Sequence, residues 1–190
     1  MAYASTSGWT AAAEPKESGT LKYYEAAIWE ETDSVHLYAF PNDFDPLVDI
    51  MNEDMTDAEM IAYREQFAIK KYSEMPEAYT WQRTLFLRTA FEDFADILVS
   101  RHPLSEHHFM YSGHGGPGGN LFAGQLAHRD ASAFLESWTG SLGRPLGVID
   151  MGGPCAKGSF DDLANFCRYS MYYVASDINN GGVHHGRLDP

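Results

Sequence analysis

The stretch Leu146–Asp150, with the sequence LGVID, decides the fold, because such a short apolar run is typical of a strand buried on both faces of a parallel sheet. A second run of this kind, His108–Ser112 (HFMYS), leads directly into glycines. Between the two runs, Asp130 can cap a helix that carries Phe134 and Trp138 on one side and ends near Gly140. A strand, a helix and a further strand predict a crossover unit with parallel strands.

The same alternation extends along most of the chain. The clearest helix is expected over Trp81–Arg101, where Phe91, Phe94 and Leu98 follow helical spacing. Further strands are predicted over Val35–Phe40, Phe67–Tyr72 and Met171–Ser176, and helix starts over Thr56–Glu59 and Ser159–Asp162. The pattern predicts an α/β sandwich with a mainly parallel central sheet, helices on both faces, and functional loops at the carboxyl ends of the strands.

The length of 190 residues fits one domain. Residues 1–20 are small and polar and are interpreted as a tail or a strap across the surface, so the α/β domain is expected to occupy residues 21–190. The predicted sheet ends soon after Asp177. The domain is therefore expected to be incomplete at its carboxyl end, and another chain could complete it.

The net charge argues against certain classes of partner, and the cysteine content bears on the cellular compartment. The net charge of −14 disfavours nucleic acid and anionic membranes as partners. Cys155 and Cys167 fit no secreted disulfide framework, and neither a secretory signal nor a long apolar segment is visible. We expect a cytoplasmic protein, although a secreted protein whose signal has been removed would look the same.

Two loops carry residues suited to nucleophilic chemistry. His114 lies in a glycine-rich loop after the first apolar run, and Cys155 follows the second. If the two strands are neighbours, both side chains face one crevice. A thiol is a weak nucleophile until it loses its proton, and an adjacent imidazole can accept that proton. The amide of Gly115 could then point at a developing oxyanion.

These loops resemble those of a known family. Ser112–Gly116 is similar to the histidine loop of caspase-like peptidases, and Cys155–Phe160 (CAKGSF) resembles the cysteine loop of the clostripain-like branch. Tyr173–Asp177, with Gly181 and Gly182 after it, resembles the next strand of that branch. Cys155 follows His114 by 41 positions, close to the ~50 typical of caspases.

The resemblance implies a caspase-like three-layer sandwich and a cysteine endopeptidase that cleaves peptides or proteins after Arg or Lys. Cys155 would be the nucleophile and His114 the general base, with the amides of Gly115 and Cys155 as oxyanion donors. Asp150 and Asp177 would bind the basic side chain of the substrate. No cofactor is expected; the resemblance allows calcium, but no sequence motif supports it.

One departure from the family keeps a second function open. These peptidases usually carry aspartate two residues before the cysteine, where this chain has Gly153. The alternative is a caspase-fold scaffold or assembly subunit without activity. Asp150 and Asp177 could also be ordinary turn residues.

Two further interpretations are disfavoured. The segment Gly113–Gly118 matches the spacing of a dinucleotide-binding loop, but Pro117 and Gly119 interrupt the helix that should follow. The histidine pairs at 107–108 and 184–185 lack the spacing of a zinc site, so no metal site is expected.

Overall fold

The computed structural model describes part of the chain. Its backbone is described over residues 5–12, 21–29, 34–39, 58–59, 62, 70–76, 83–111, 121, 126–151 and 156–178, and its side chains over 58–59, 62, 88–111, 121, 126–151 and 156–178. The predicted helix start at Thr56–Glu59 lies mostly outside these ranges, although residues 58, 59 and 62 are helical.

Seven described strands form one sheet. They are β1 (Ser5–Ala12), β2 (Leu21–Trp29), β3 (Ser34–Ala39), β4 (Lys70–Pro76), β5 (Glu106–Tyr111), β6 (Leu146–Met151) and β7 (Ser170–Ala175). Their spatial order is β4-β3-β2-β1-β5-β6-β7. The strands predicted around residues 35–40, 108–112, 146–150 and 171–176 are confirmed, with ends shifted by one or two residues. The strand expected over Phe67–Tyr72 is found further along the chain, at Lys70–Pro76, as β4.

The sheet is mixed, which corrects the prediction of a mainly parallel sheet. Only the pairings of β5 with β6 and of β6 with β7 are parallel, and the four other pairings are antiparallel. The connections explain two of the four antiparallel pairings, β1 with β2 and β2 with β3. A parallel return needs a crossover of about a dozen residues or more, and the links after β1 and β2 are shorter than that.

The segment predicted as a tail contains a strand. Within residues 1–20, Ser5–Ala12 is β1, paired with β2 on one side and β5 on the other. Serine, threonine, glycine and alanine dominate this strand, so its sequence carries little of the β-branched and aromatic signal of a half-buried strand. Backbone pairing on both sides, rather than side-chain pattern, makes it part of the sheet.

Three helices pack on one face of the sheet: α1 (Arg83–Arg101), α2 (His128–Leu142) and α3 (Phe160–Phe166). Phe134 of α2 contacts both Phe91 of α1 and Phe109 of β5, with ring centroids 5.4 and 5.6 Å apart. Phe166 of α3 stacks on Tyr173 of β7. The helix predicted over Trp81–Arg101 is confirmed within two residues, and its three marker residues are fully buried or nearly so.

The opposite face of β6 and β7 is more open. Ile149 is completely buried, whereas its neighbour Val148 is only half-buried. On β7, Tyr172 and Val174 are 66% and 44% exposed. Helices α1 to α3 all pack on the other side. The expectation of helices on both faces stays a prediction.

Helix α2 differs from its prediction at both ends. It begins at His128, with Ala127 at the N-cap position, and not at Asp130. Asp130 is buried in the first turn, where its carboxylate lies 3.7 Å from the guanidinium of Arg88 on α1. The helix continues past Gly140 to Leu142 and ends where Gly143 adopts a left-handed conformation (φ 70°), which glycine tolerates without steric cost.

Candidate functional site

The two loops singled out by the sequence leave from adjacent strands. Strands β5 and β6 are parallel neighbours, with Phe109 opposite Ile149 and Met110 opposite Asp150. They therefore end side by side, at Tyr111 and Met151. The residues that follow, which include His114, Gly115, Gly153 and Cys155, lie outside the described ranges.

Asp150 and Asp177 both lie near this carboxyl edge. Asp150 is the penultimate residue of β6, is half-buried, and shares a register position with Val174 of β7. Asp177 lies two residues beyond the end of β7 and is exposed. Neither carboxylate is fully buried, so neither meets the full cost of desolvating a charge.

The backbone directly after Cys155 is joined to the segment that carries Asp177. The amide of Ala156 donates to the carbonyl of Ile178 (3.1 Å), and the amide of Gly158 donates to the carbonyl of Ser176 (2.7 Å). A Cβ at Gly158 would lie only 2.9 Å from the amide nitrogen of Asp177, so glycine is required for this approach. Ala156 itself has φ 52°, an uncommon conformation for a non-glycine residue.

A buried polar cluster lies beneath this contact, centred on the carboxylate of Asp162 in α3. We call it the Asp162 cluster; it comprises Asp162, Lys157, His128 and Ser159. Oδ1 of Asp162 is 2.7 Å from Nε2 of His128 and accepts from the ammonium of Lys157 at 3.4 Å. Oδ2 accepts from the hydroxyl of Ser159. The side chains of Lys157 and Asp162 are both completely inaccessible to solvent.

Burial shifts the pKa values of ionisable groups in and next to the Asp162 cluster. Desolvation lowers the pKa of Lys157, although the neighbouring Asp162 carboxylate opposes this shift. Desolvation likewise raises the pKa of Tyr173, and the charge of Asp162 adds to that effect. The Tyr173 hydroxyl donates to the carbonyl of Lys157 at 2.8 Å, which connects β7 to the same loop.

Sequence reasoning found only half of this cluster. It predicted that Ser159 and Asp162 begin a helix, and the amide of Asp162 does donate to the Ser159 hydroxyl at the N-cap of α3. It missed Lys157 and His128. A lysine in a loop is normally solvated, and His128 is 34 positions from Asp162, so no local pattern marked either residue.

The histidine pair at 107–108 serves the packing of the sheet. Nδ1 of His107 accepts from the indole of Trp138 (3.1 Å), and its Nε2 donates to the carbonyl of His102 (2.8 Å). Nδ1 of His108 accepts from the amide of Val148. Among the described residues, no three His, Cys, Asp or Glu side chains are grouped so that they could hold a metal ion. The pair at 184–185 lies outside the described ranges.

Stability should fall on mild acidification because of His107. Burial lowers the pKa of His107, so between its folded value and its ordinary value near 6.5 only the unfolded chain takes up the proton. The contribution of neutral His107 to the free energy of unfolding is therefore complete above about pH 6.5. It is lost as the pH falls through the pKa of His107 in the folded protein. We expect His107→Gln to lose less free energy of unfolding than the natural chain between pH 7 and 5. Urea denaturation at each pH measures this, and equal losses in both proteins would contradict it.

No helix in the described part of the chain combines the length and apolar character needed to cross a membrane. No protein-family model, curated protein or solved structure matches this chain.

Proposed function

We propose that the protein is a cysteine endopeptidase that uses Cys155 as nucleophile and His114 as general base. One observation carries the proposal: the strands that precede the two loops, β5 and β6, are parallel neighbours that end side by side. His114 follows the end of β5 by three residues and Cys155 follows the end of β6 by four. Segments of three and four residues span at most about 11 and 14 Å, which allows both residues to reach the shared edge of the sheet.

The reaction follows from these two groups. The Cys155 sulfur attacks the scissile carbonyl carbon while His114 takes the thiol proton. The amides of Gly115 and Cys155 stabilise the oxyanion that forms. His114 then protonates the leaving amine as the carbon–nitrogen bond breaks, which leaves a thioester. Water, deprotonated by His114, attacks the thioester, and the carbon–sulfur bond breaks to restore the thiol.

Specificity for basic residues rests on Asp150 and Asp177. Both carboxylates lie at the carboxyl edge of β6 and β7, and a guanidinium can form two parallel hydrogen bonds with a carboxylate. We expect Arg to be preferred over Lys at the cleaved position and Asp to be rejected. The exposure of Asp177 makes its contribution sensitive to salt.

Covalent labelling tests the proposal. A peptidyl chloromethyl ketone with arginine at its specificity position should alkylate Cys155 with loss of chloride, and mass spectrometry of the digest identifies the modified residue. Cys167 is an exposed free thiol and provides an internal comparison. Selective modification of Cys155, faster than with the matching aspartyl reagent, is expected. Equal labelling of both cysteines, or none at Cys155, would contradict a peptidase site.

A scaffold or assembly subunit is the second candidate, and a different observation favours it. Strand β7 is the last of the described strands in the sheet order, and its Tyr172 and Val174, which share one face, are 66% and 44% exposed. Exposed apolar side chains next to each other often mark a surface where another protein binds. Under this proposal another chain completes the domain, and Cys155 reacts with the arginyl reagent no faster than Cys167.

A further inference from the structure

Three independent contacts hold the backbone after Cys155 against the end of β7. The amides of Ala156 and Gly158 donate to the carbonyls of Ile178 and Ser176. The hydroxyl of Tyr173 donates to the carbonyl of Lys157. Residues 156–158 and 176–178 therefore form one unit, which we call the paired segment. It directly follows Cys155 in the chain and contains Asp177.

The buried side chain of Lys157 connects the paired segment to the helical layer. Lys157 extends from the middle of residues 156–158 to Asp162 of α3, and both side chains are completely buried. Asp162 is held in turn by His128 of α2 at 2.7 Å and by Ser159. Burying an ammonium is costly, and apolar groups of similar volume often stabilise a protein as well or better. The buried ammonium of Lys157 therefore indicates a role other than stabilising the fold.

We infer that Lys157 is a positioning residue, whose bond to Asp162 fixes the paired segment, and with it the backbone that directly follows Cys155 in the chain. The inference rests on the proposed peptidase function and assigns a role to a residue that does not itself react. Reactive groups must be held within about 0.5 Å of their productive geometry by neighbours that are themselves locked in place. The left-handed Ala156 and the close approach at Gly158 leave this backbone few alternative conformations.

The test uses the full chain with Cys167→Ala, so that Cys155 is the only thiol. Lys157→Met removes the charge but keeps an unbranched side chain. Gly158→Ala disturbs the same segment by a different route, through its contact with the Asp177 backbone, and so provides a test that does not depend on the folding of Lys157→Met. Arg129→Met is the matched control, because Arg129 is 90% exposed and its loss removes a cation without touching the cluster.

Hydrogen exchange, thiol alkylation and peptide turnover are measured for each variant. With Lys157→Met or Gly158→Ala, we expect the amides of Ala156 and Gly158 to lose protection while those of β5 and β6 keep theirs. We expect kcat on an arginyl peptide to fall about 100-fold, the size of effect produced by a misplacement of about 1 Å, with little change in KM. The pH dependence of Cys155 alkylation by iodoacetamide should shift as well. Arg129→Met should change none of these.

Two results would overturn the inference. The first is that Lys157→Met leaves three quantities unchanged: the protection of the amides at residues 156 and 158, the pH dependence of Cys155 alkylation, and kcat. The other is a loss of protection that extends equally through β5 and β6, which would mean that Lys157 only stabilises the fold. If the parent protein cleaves no peptide, the peptidase proposal fails on its own, and exchange with the alkylation profile still decides the role of Lys157.

Discussion

Replacing Cys155 by alanine is expected to reduce kcat/KM on arginyl peptides by on the order of 10⁴-fold or more, because loss of a nucleophile removes the covalent route entirely. What remains is the contribution of substrate binding and of oxyanion stabilisation. A fluorogenic peptide amide with arginine at the cleaved position provides the measurement. Binding of a non-hydrolysable arginyl peptide should persist, because alanine removes only the sulfur.

Cys167→Ala is the matched control for this experiment. Cys167 is exposed at the start of the 3₁₀ turn that follows α3, and its truncation should leave turnover unchanged. Activity that survives Cys155→Ala would contradict the proposed mechanism. The same holds if Cys167→Ala abolishes activity and Cys155→Ala does not.

Asp162→Ala should cause the largest loss of stability of any single change in the cluster, about 3–5 kcal/mol in the free energy of unfolding. The substitution removes the carboxylate that accepts from the buried ammonium of Lys157 and that lies 2.7 Å from Nε2 of His128. It also removes the hydrogen bond that the Ser159 hydroxyl donates to Oδ2 of Asp162, whereas the bond from the Asp162 amide to that hydroxyl remains. Urea denaturation at neutral pH, followed by circular dichroism, measures the effect.

The neighbouring Asp161→Ala is the control, because both aspartates lie in the first turn of α3 but only Asp162 is buried. Loss of Asp161 tests the effect of a carboxylate near a helix N-terminus by itself, and we expect it to leave stability nearly unchanged. Adding Lys157→Met to Asp162→Ala should recover part of the lost stability, since it removes the buried ammonium whose charge Asp162 normally balances. Similar losses for the two aspartate variants would show that the buried pair contributes little.

Local sequence patterns were sufficient to predict the crossover unit formed by β5, α2 and β6. The apolar run that became β6, the helical spacing of Phe134 and Trp138, and the strand before the glycines each depend on neighbours a few residues away. The parallel pairing of β5 with β6 then follows, because a crossover through a helix returns the chain in the same direction. The order of the two candidate loops along one sheet edge was thus predictable from the sequence.

Contacts between residues distant in the chain decided the rest. Strand β1 became part of the sheet through backbone hydrogen bonds to β2 and β5, which its small side chains do not encode. Lys157 is buried with its ammonium beside Asp162, and His128 reaches Asp162 only because α2 packs beside α3. A buried charge is stable only where several separate elements supply its partners, and such a site exists only once those elements are folded together.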